Sequence, residues 1–337
     1  MLQQNTSLLK KRTKIFFNYI IGPIVFVWLI TTIYHQVSNQ KNFNDSWHQI
    51  VQSISGPQSW KFYLVIILML FNWGFEARKW QLLIKPIEAV SFFTAFRAVL
   101  SGLALSLNIP NRLGEYIGRM AYMHEGNRLR SIALTIVGSI SQVIITLVMG
   151  IIGLMYMRFF ILDSTHQLEG LSVLWLNGLM YILSAGTVIT ILIYYRISFL
   201  IQVIEKIPFI NKYVFFIKNL EDFNWRELTN ILFLSGLRYL VFVMQYLLLL
   251  QVFNVNIETL NAISAISVLF LVLAIIPTIP IAELGVRGEA GIQLFGLLSI
   301  NKIGIIATAA GIWIINLILP ALAGSLFILG IKFFRNK

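Results

Sequence analysis

Apolar runs of about 20 residues, parted by short polar stretches, set the frame of this chain. The first, from about Ile15 to Tyr34, follows the basic stretch Lys10-Lys11-Arg12-Thr13-Lys14. It is too long for the apolar part of a signal peptide and has no small-residue cleavage site, so it predicts an uncleaved helix. A second helix begins near Trp60, is apolar to Phe75, and continues through Glu76, Arg78, Lys79 and Trp80 to Lys85. Ser131 to Met157, Leu171 to Tyr195, Asn230 to Phe253 and about Ile303 to Phe334 predict four more crossings, the last bent at Pro320.

Two segments fit no single crossing. Residues 92–123 take up Arg97 early, break at Pro110, and then carry Arg112, Glu115 and Arg119. Residues 262–298 break at Pro277 and Pro280 and then carry Glu283, Arg287 and Glu289. The flanks of each segment belong to one side of the membrane, so each predicts a re-entrant helical hairpin, the two entering from opposite sides. Between them, residues 196–228 place Arg196, Lys206, Lys212, Lys218 and Arg226 among Phe, Ile and Trp, which suits amphipathic helices on the inner surface. The expectation is an all-α polytopic membrane protein, one transmembrane domain over 1–337, with about six full crossings plus the two hairpins.

Composition fixes the solvent. Of 337 residues, 58% are hydrophobic and only 12% charged, and the mean hydropathy is +0.79; a soluble domain carries about a quarter charged residues. The net charge of +12 is spread along the flanks of apolar runs. There it sets orientation and meets anionic head groups, and no basic, aromatic-interleaved surface points to nucleic acid. In the predicted topology the outside holds only Lys41, Lys61, Arg158 and Lys302, so both termini are expected in the cytoplasm. Without cysteine there are no disulfides, thiolate catalysis or Cys-ligated metals.

The chemistry sits where charge enters the membrane. The cations left inside it are all arginines, Arg97, Arg112, Arg119, Arg238 and Arg287. A delocalised fork that binds carboxylate or phosphate bidentately suits a buried anion site. Ionisable groups at that depth are expensive and mark function by default. Arg112, Glu115 and Arg119 are spaced three and four apart and can share a helical face. They can grip a lipid phosphate or simply staple a broken helix. Glu283 and Arg287, four apart, face the same choice, as do Arg238 and Gln245, seven apart; Glu289 is grouped with the former pair. Arg97 guards the cytoplasmic mouth or anchors its hairpin. Glu76 and Lys79 read as an interface pair with a snorkelling lysine. Asn108 and Asn111 cap or turn the backbone at Pro110, and Gly114, Gly118, Gly285 and Gly288 allow tight turns or close approach. His35, His48, His124 and His166 are scattered, without metal-ligand spacing. No nucleophile elbow, phosphate-binding loop or dinucleotide fingerprint occurs, so neither catalytic residues nor a cofactor are expected.

The run Pro110-Asn-Arg-Leu-Gly-Glu-Tyr-Ile-Gly-Arg119 and the run Pro280-Ile-Ala-Glu-Leu-Gly-Val-Arg287 resemble the membrane domain of the lysylphosphatidylglycerol synthase/flippase family. That family has a proline–arginine–glycine–glutamate motif and, later, a proline–glycine–valine–arginine–glutamate motif. The resemblance spans residues 15–334. It implies a bacterial inner-membrane protein with re-entrant helices that moves lipids or lipid-linked head groups between leaflets. Anionic phospholipids or polyprenyl-phosphate-linked molecules are then the expected partners. Full-length synthases of the family add a soluble domain that transfers lysine from lysyl-tRNA to lipid. This chain ends at Lys337, so it is not expected to make the aminoacyl lipid itself. It also has Glu283 where the family commonly has glycine, and Gly288 intervenes before Glu289, so a cationic lysyl lipid is not assumed.

The leading expectation is a transporter, not an enzyme, driven by an ion gradient or the lipid gradient itself. The alternatives are a membrane-embedded transferase acting on lipid-linked sugars or phosphates, with Glu115 or Glu283 as general base, and an accessory subunit of an envelope complex.

Overall fold

The computed structural model describes residues 51, 52, 56, 58–107, 113–162, 173–205, 215–276 and 280–329. The expected first helix, the loop residues up to 50, Asn108, Pro110, Asn111, Arg112, Pro277, Lys206, Lys212 and the basic C-terminal residues lie outside them. The described residues are mostly helical, joined by short turns and loops, with no strand among them.

Among the described residues five helices are long and apolar enough to cross a membrane. They are α1 (Ser59–Ile84), α4 (Arg128–Phe160), α5 (Val173–Tyr195), α7 (Trp225–Val252) and the interrupted helix from Lys302 to Leu329. The chain is a multi-pass membrane protein. Helix α7 begins earlier than its apolar run, because Asn224 and Glu227 close a capping box: Asn224 Oδ1 accepts from the Arg226 and Glu227 amides at 3.0 Å, and Glu227 accepts from the Asn224 amide. Residues 225–228 therefore belong to this helix and not to the surface segment expected over 196–228. That segment retains α6 (Ile197–Glu205) and a 3-10 turn at Lys218–Leu220.

The interrupted helix consists of α10 (Lys302–Trp313), a π-helical stretch at Ile314–Ile318 and α11 (Leu319–Leu329). Pro320 lies two residues past the π stretch; it can donate no amide hydrogen, so the ladder before it is re-formed with wider turns. The expected irregularity at this proline is a π insertion.

Four shorter helices form two pairs. In the first, α2 (Phe92–Ser106) is capped by Ser91, whose hydroxyl accepts from the Thr94 amide at 3.1 Å, and α3 (Leu113–Met120) follows the break. Glycines bring the two backbones together: a Cβ on Gly114 would overlap Leu105 and Ser106, and one on Gly118 would overlap Gly102. As the position rises on α3 its partner falls on α2, so the pair is an antiparallel helical hairpin. Gly324 of α11 abuts the Leu100 backbone on its other side. The second pair is α8 (Thr259–Ile275), leaving the helix through the extended Ile276, and α9 (Pro280–Phe295), with proline at its first position.

The hydrophobic core divides along the bundle. One cluster joins α2 to the second half of α1, the first halves of α4 and α7, and α11, around Trp80, Leu83, Val99, Leu134 and Leu228. The other joins α8 and the end of α9 to the first half of α1, the second halves of α4 and α7, and α10, around Val65, Leu154, Leu249, Leu269 and Phe295. The two helix pairs thus pack at opposite ends of the long helices.

Candidate functional site

Glu76, only 4% exposed, is the hub of the charged interior. Its Oε2 accepts from Lys79 Nζ at 2.8 Å and from Arg238 Nη1 at 2.8 Å, and its Oε1 meets Arg119 Nη1 at 3.0 Å. Three cations from three helices share one carboxylate. Arg119 also reaches Glu115, one helical turn back, at 3.4 Å. Antiparallel packing of α1 on α7 aligns these residues: Glu76 faces Arg238, while nearer the other end Gln245 donates to the Val65 carbonyl.

Neutral groups complete the cluster. Arg238 Nε donates to Asn72 Oδ1 at 2.7 Å, and its guanidinium lies 5.0 Å from the Trp73 ring centroid and 5.6 Å from that of Phe242. Asn72 in turn donates to Asn316 Oδ1 at 3.1 Å, inside the π stretch, so the insertion before Pro320 delivers a polar side chain to the site. The remaining Lys79 hydrogens go to the Gly138 carbonyl at 3.1 Å and to Ser235 Oγ at 3.3 Å. Two buried donors in this neighbourhood, Arg119 Nε and Trp73 Nε1, have no acceptor.

Lys79 does not snorkel. It is 2% exposed and its charge is spent inside the protein, contrary to the interface pair expected for Glu76 and Lys79. The signal that locates them is the spacing of Asn72, Glu76 and Lys79, polar residues four and three apart on one face of an otherwise apolar helix.

A second, smaller group lies on α9. Arg287 pairs with Glu283 and donates to the Tyr246 hydroxyl at 2.8 Å, while its Nε is buried without an acceptor. Tyr246 follows Arg238 on α7 by eight positions, about 12 Å along the axis, so α7 carries one partner of each group. Glu289 does not join: it is exposed and accepts from Gln293 at 3.3 Å. Two positions beyond Arg287, it points to the other side of the helix.

Arg97 is also apart, exposed on α2 with its guanidinium 5.7 Å from the ring centroids of Phe93 and Phe327. The expectation of close approach holds for Gly114 and Gly118. It fails for Gly285 and Gly288, which sit within α9 with nothing near the position of a Cβ.

Both guanidiniums of the cluster are largely withdrawn from solvent, and the helix that follows the break supplies one of them. A model of the family described as the lysylphosphatidylglycerol synthase TM region matches residues 18–324. No curated protein matches the chain.

Proposed function

Because the chain belongs to the lysylphosphatidylglycerol synthase TM-region family, we propose that it carries lipids or lipid-linked head groups between the leaflets of the bacterial cytoplasmic membrane. In this reading α2–α3 and α8–α9 are re-entrant hairpins entering from opposite sides, and both termini are cytoplasmic. The observation that carries the reading is the Glu76 cluster. It draws Arg119 of a broken-helix hairpin and Arg238 of a crossing helix onto one buried carboxylate, and arginines so placed can receive the phosphate of a head group while the acyl chains stay in lipid. Arg112 and Glu115 belong to the same hairpin motif, and Glu283 and Arg287 form a second station beside α7.

Reconstitution in vesicles with a fluorescent anionic phospholipid tests the proposal. Arg119→Ala, Arg112→Ala and Glu115→Gln are expected to abolish lipid movement while leaving folded, monodisperse protein. Undiminished movement in the three variants overturns this site.

A further inference from the structure

Glu76 is the carboxylate on which Lys79, Arg119 and Arg238 converge, and Glu115 adds only a long contact to Arg119. Arg119 Nε and Trp73 Nε1 are both buried donors without acceptors, in residues 4% and 5% exposed. Unused buried donors beside a carboxylate that three cations share ask for an oxygen ligand carrying negative charge.

The three cations are not equivalent. Each hydrogen of Lys79 has a partner, in Glu76, Gly138 and Ser235. Lys79 therefore keeps Glu76 in place and neutralised whatever the arginines do, which makes it a positioning residue. Arg119 is held less completely: one 3.0 Å contact to Glu76, a long one to Glu115, and one donor unused.

Resting on the site reading above, we infer that Glu76 is a resident competitor: a phosphate-type oxyanion takes Arg119 from it, and the carboxylate reclaims the arginine when the anion leaves. Such an exchange avoids a bare buried arginine between cycles and keeps the anion from binding too tightly to be released. The chemistry is that of a phosphate oxygen, supplied by a lipid head group or by free phosphate.

The test is native mass spectrometry of the whole protein in neutral detergent micelles doped with phosphatidylglycerol or phosphatidylcholine. Wild type is expected to retain phosphatidylglycerol in preference, and Arg119→Ala to lose that preference. Glu76→Gln removes the competitor and is expected to hold phosphatidylglycerol about tenfold more tightly, the scale of one charge-assisted hydrogen bond gained, with phosphatidylcholine unchanged. Inorganic phosphate is added as a second arm. Displacement of the lipid assigns recognition to the bare oxyanion and its failure assigns it to the lipid head group; both support the exchange. Glu76→Gln with unchanged or weaker retention overturns the exchange alone, whereas undiminished preference in Arg119→Ala overturns the site reading beneath it. Should Glu76→Gln not fold in neutral detergent, thermal unfolding decides. Recovery of the wild-type transition with phosphatidylglycerol but not phosphatidylcholine supports the exchange, and no recovery overturns it.

Discussion

At the scale of single residues, adjacent charges on α1 have opposite fates. Arg78 is exposed and donates to Gln81, whereas Lys79 spends all its hydrogens inside the bundle. Replacing Lys79 with Met would leave the Gly138 carbonyl and Ser235 without that donor, at a cost of about 1–3 kcal/mol. Arg78→Gln should stay within about 0.5 kcal/mol. Thermal unfolding in detergent checks both, and equal transitions in the two variants would place Lys79 at the surface after all. The sequence made Arg119, Arg238 and Arg287 legible because Arg238 is a lone charge in an apolar run and the other two stand in short charged groups just after a proline break. It hid Lys79 and Glu76 because Arg78 and Lys85 nearby look like an ordinary basic flank, and only the three-dimensional face distinguishes a flank from a core. Glu289 misled for the converse reason: nearness in sequence to Arg287 is not nearness on a helix.

At the scale of elements, glycines separate packing from flexibility. In the first hairpin Gly102, Gly114 and Gly118 are contact points between backbones, and a Cβ on Gly102 would come within 2.8 Å of the Glu115 carbonyl oxygen. Membrane helices associate closely through such small residues. Gly118→Ala forces the two helices apart and should destabilise by about 1–3 kcal/mol, the usual cost of overpacking. Gly285→Ala meets open space within α9 and should be neutral or gain up to about 1 kcal/mol through helix propensity. Both are read as shifts of the unfolding midpoint, and a Gly118→Ala protein as stable as wild type would show that the hairpin is not packed backbone to backbone. The breaks themselves were readable from proline and glycine, but which glycines pack was not, since that depends on what lies opposite. Likewise the π stretch was readable only as a bend at Pro320. That the insertion turns Asn316 toward Asn72 follows from the packing of two distant helices.

At the scale of the whole molecule, the core divides into two clusters, and the two pairs of short helices pack toward opposite ends of α1, α4 and α7. If the pairs are the re-entrant hairpins proposed above, they open to opposite compartments once a membrane surrounds the protein, and the chain offers a direct way to ask. It contains no cysteine, so any introduced thiol reports alone. His124 follows the first hairpin with its side chain 61% exposed, and Ile300 follows the second at 99% exposure. If the bias of basic residues sets orientation, Ile300→Cys in intact spheroplasts reacts with a membrane-impermeant maleimide, and His124→Cys reacts only after permeabilisation. Labelling of both from the same side would break the inverted arrangement at its root. The hairpins would then open to one compartment, and the Glu76 cluster between them would lack a second side to which it could hand a head group.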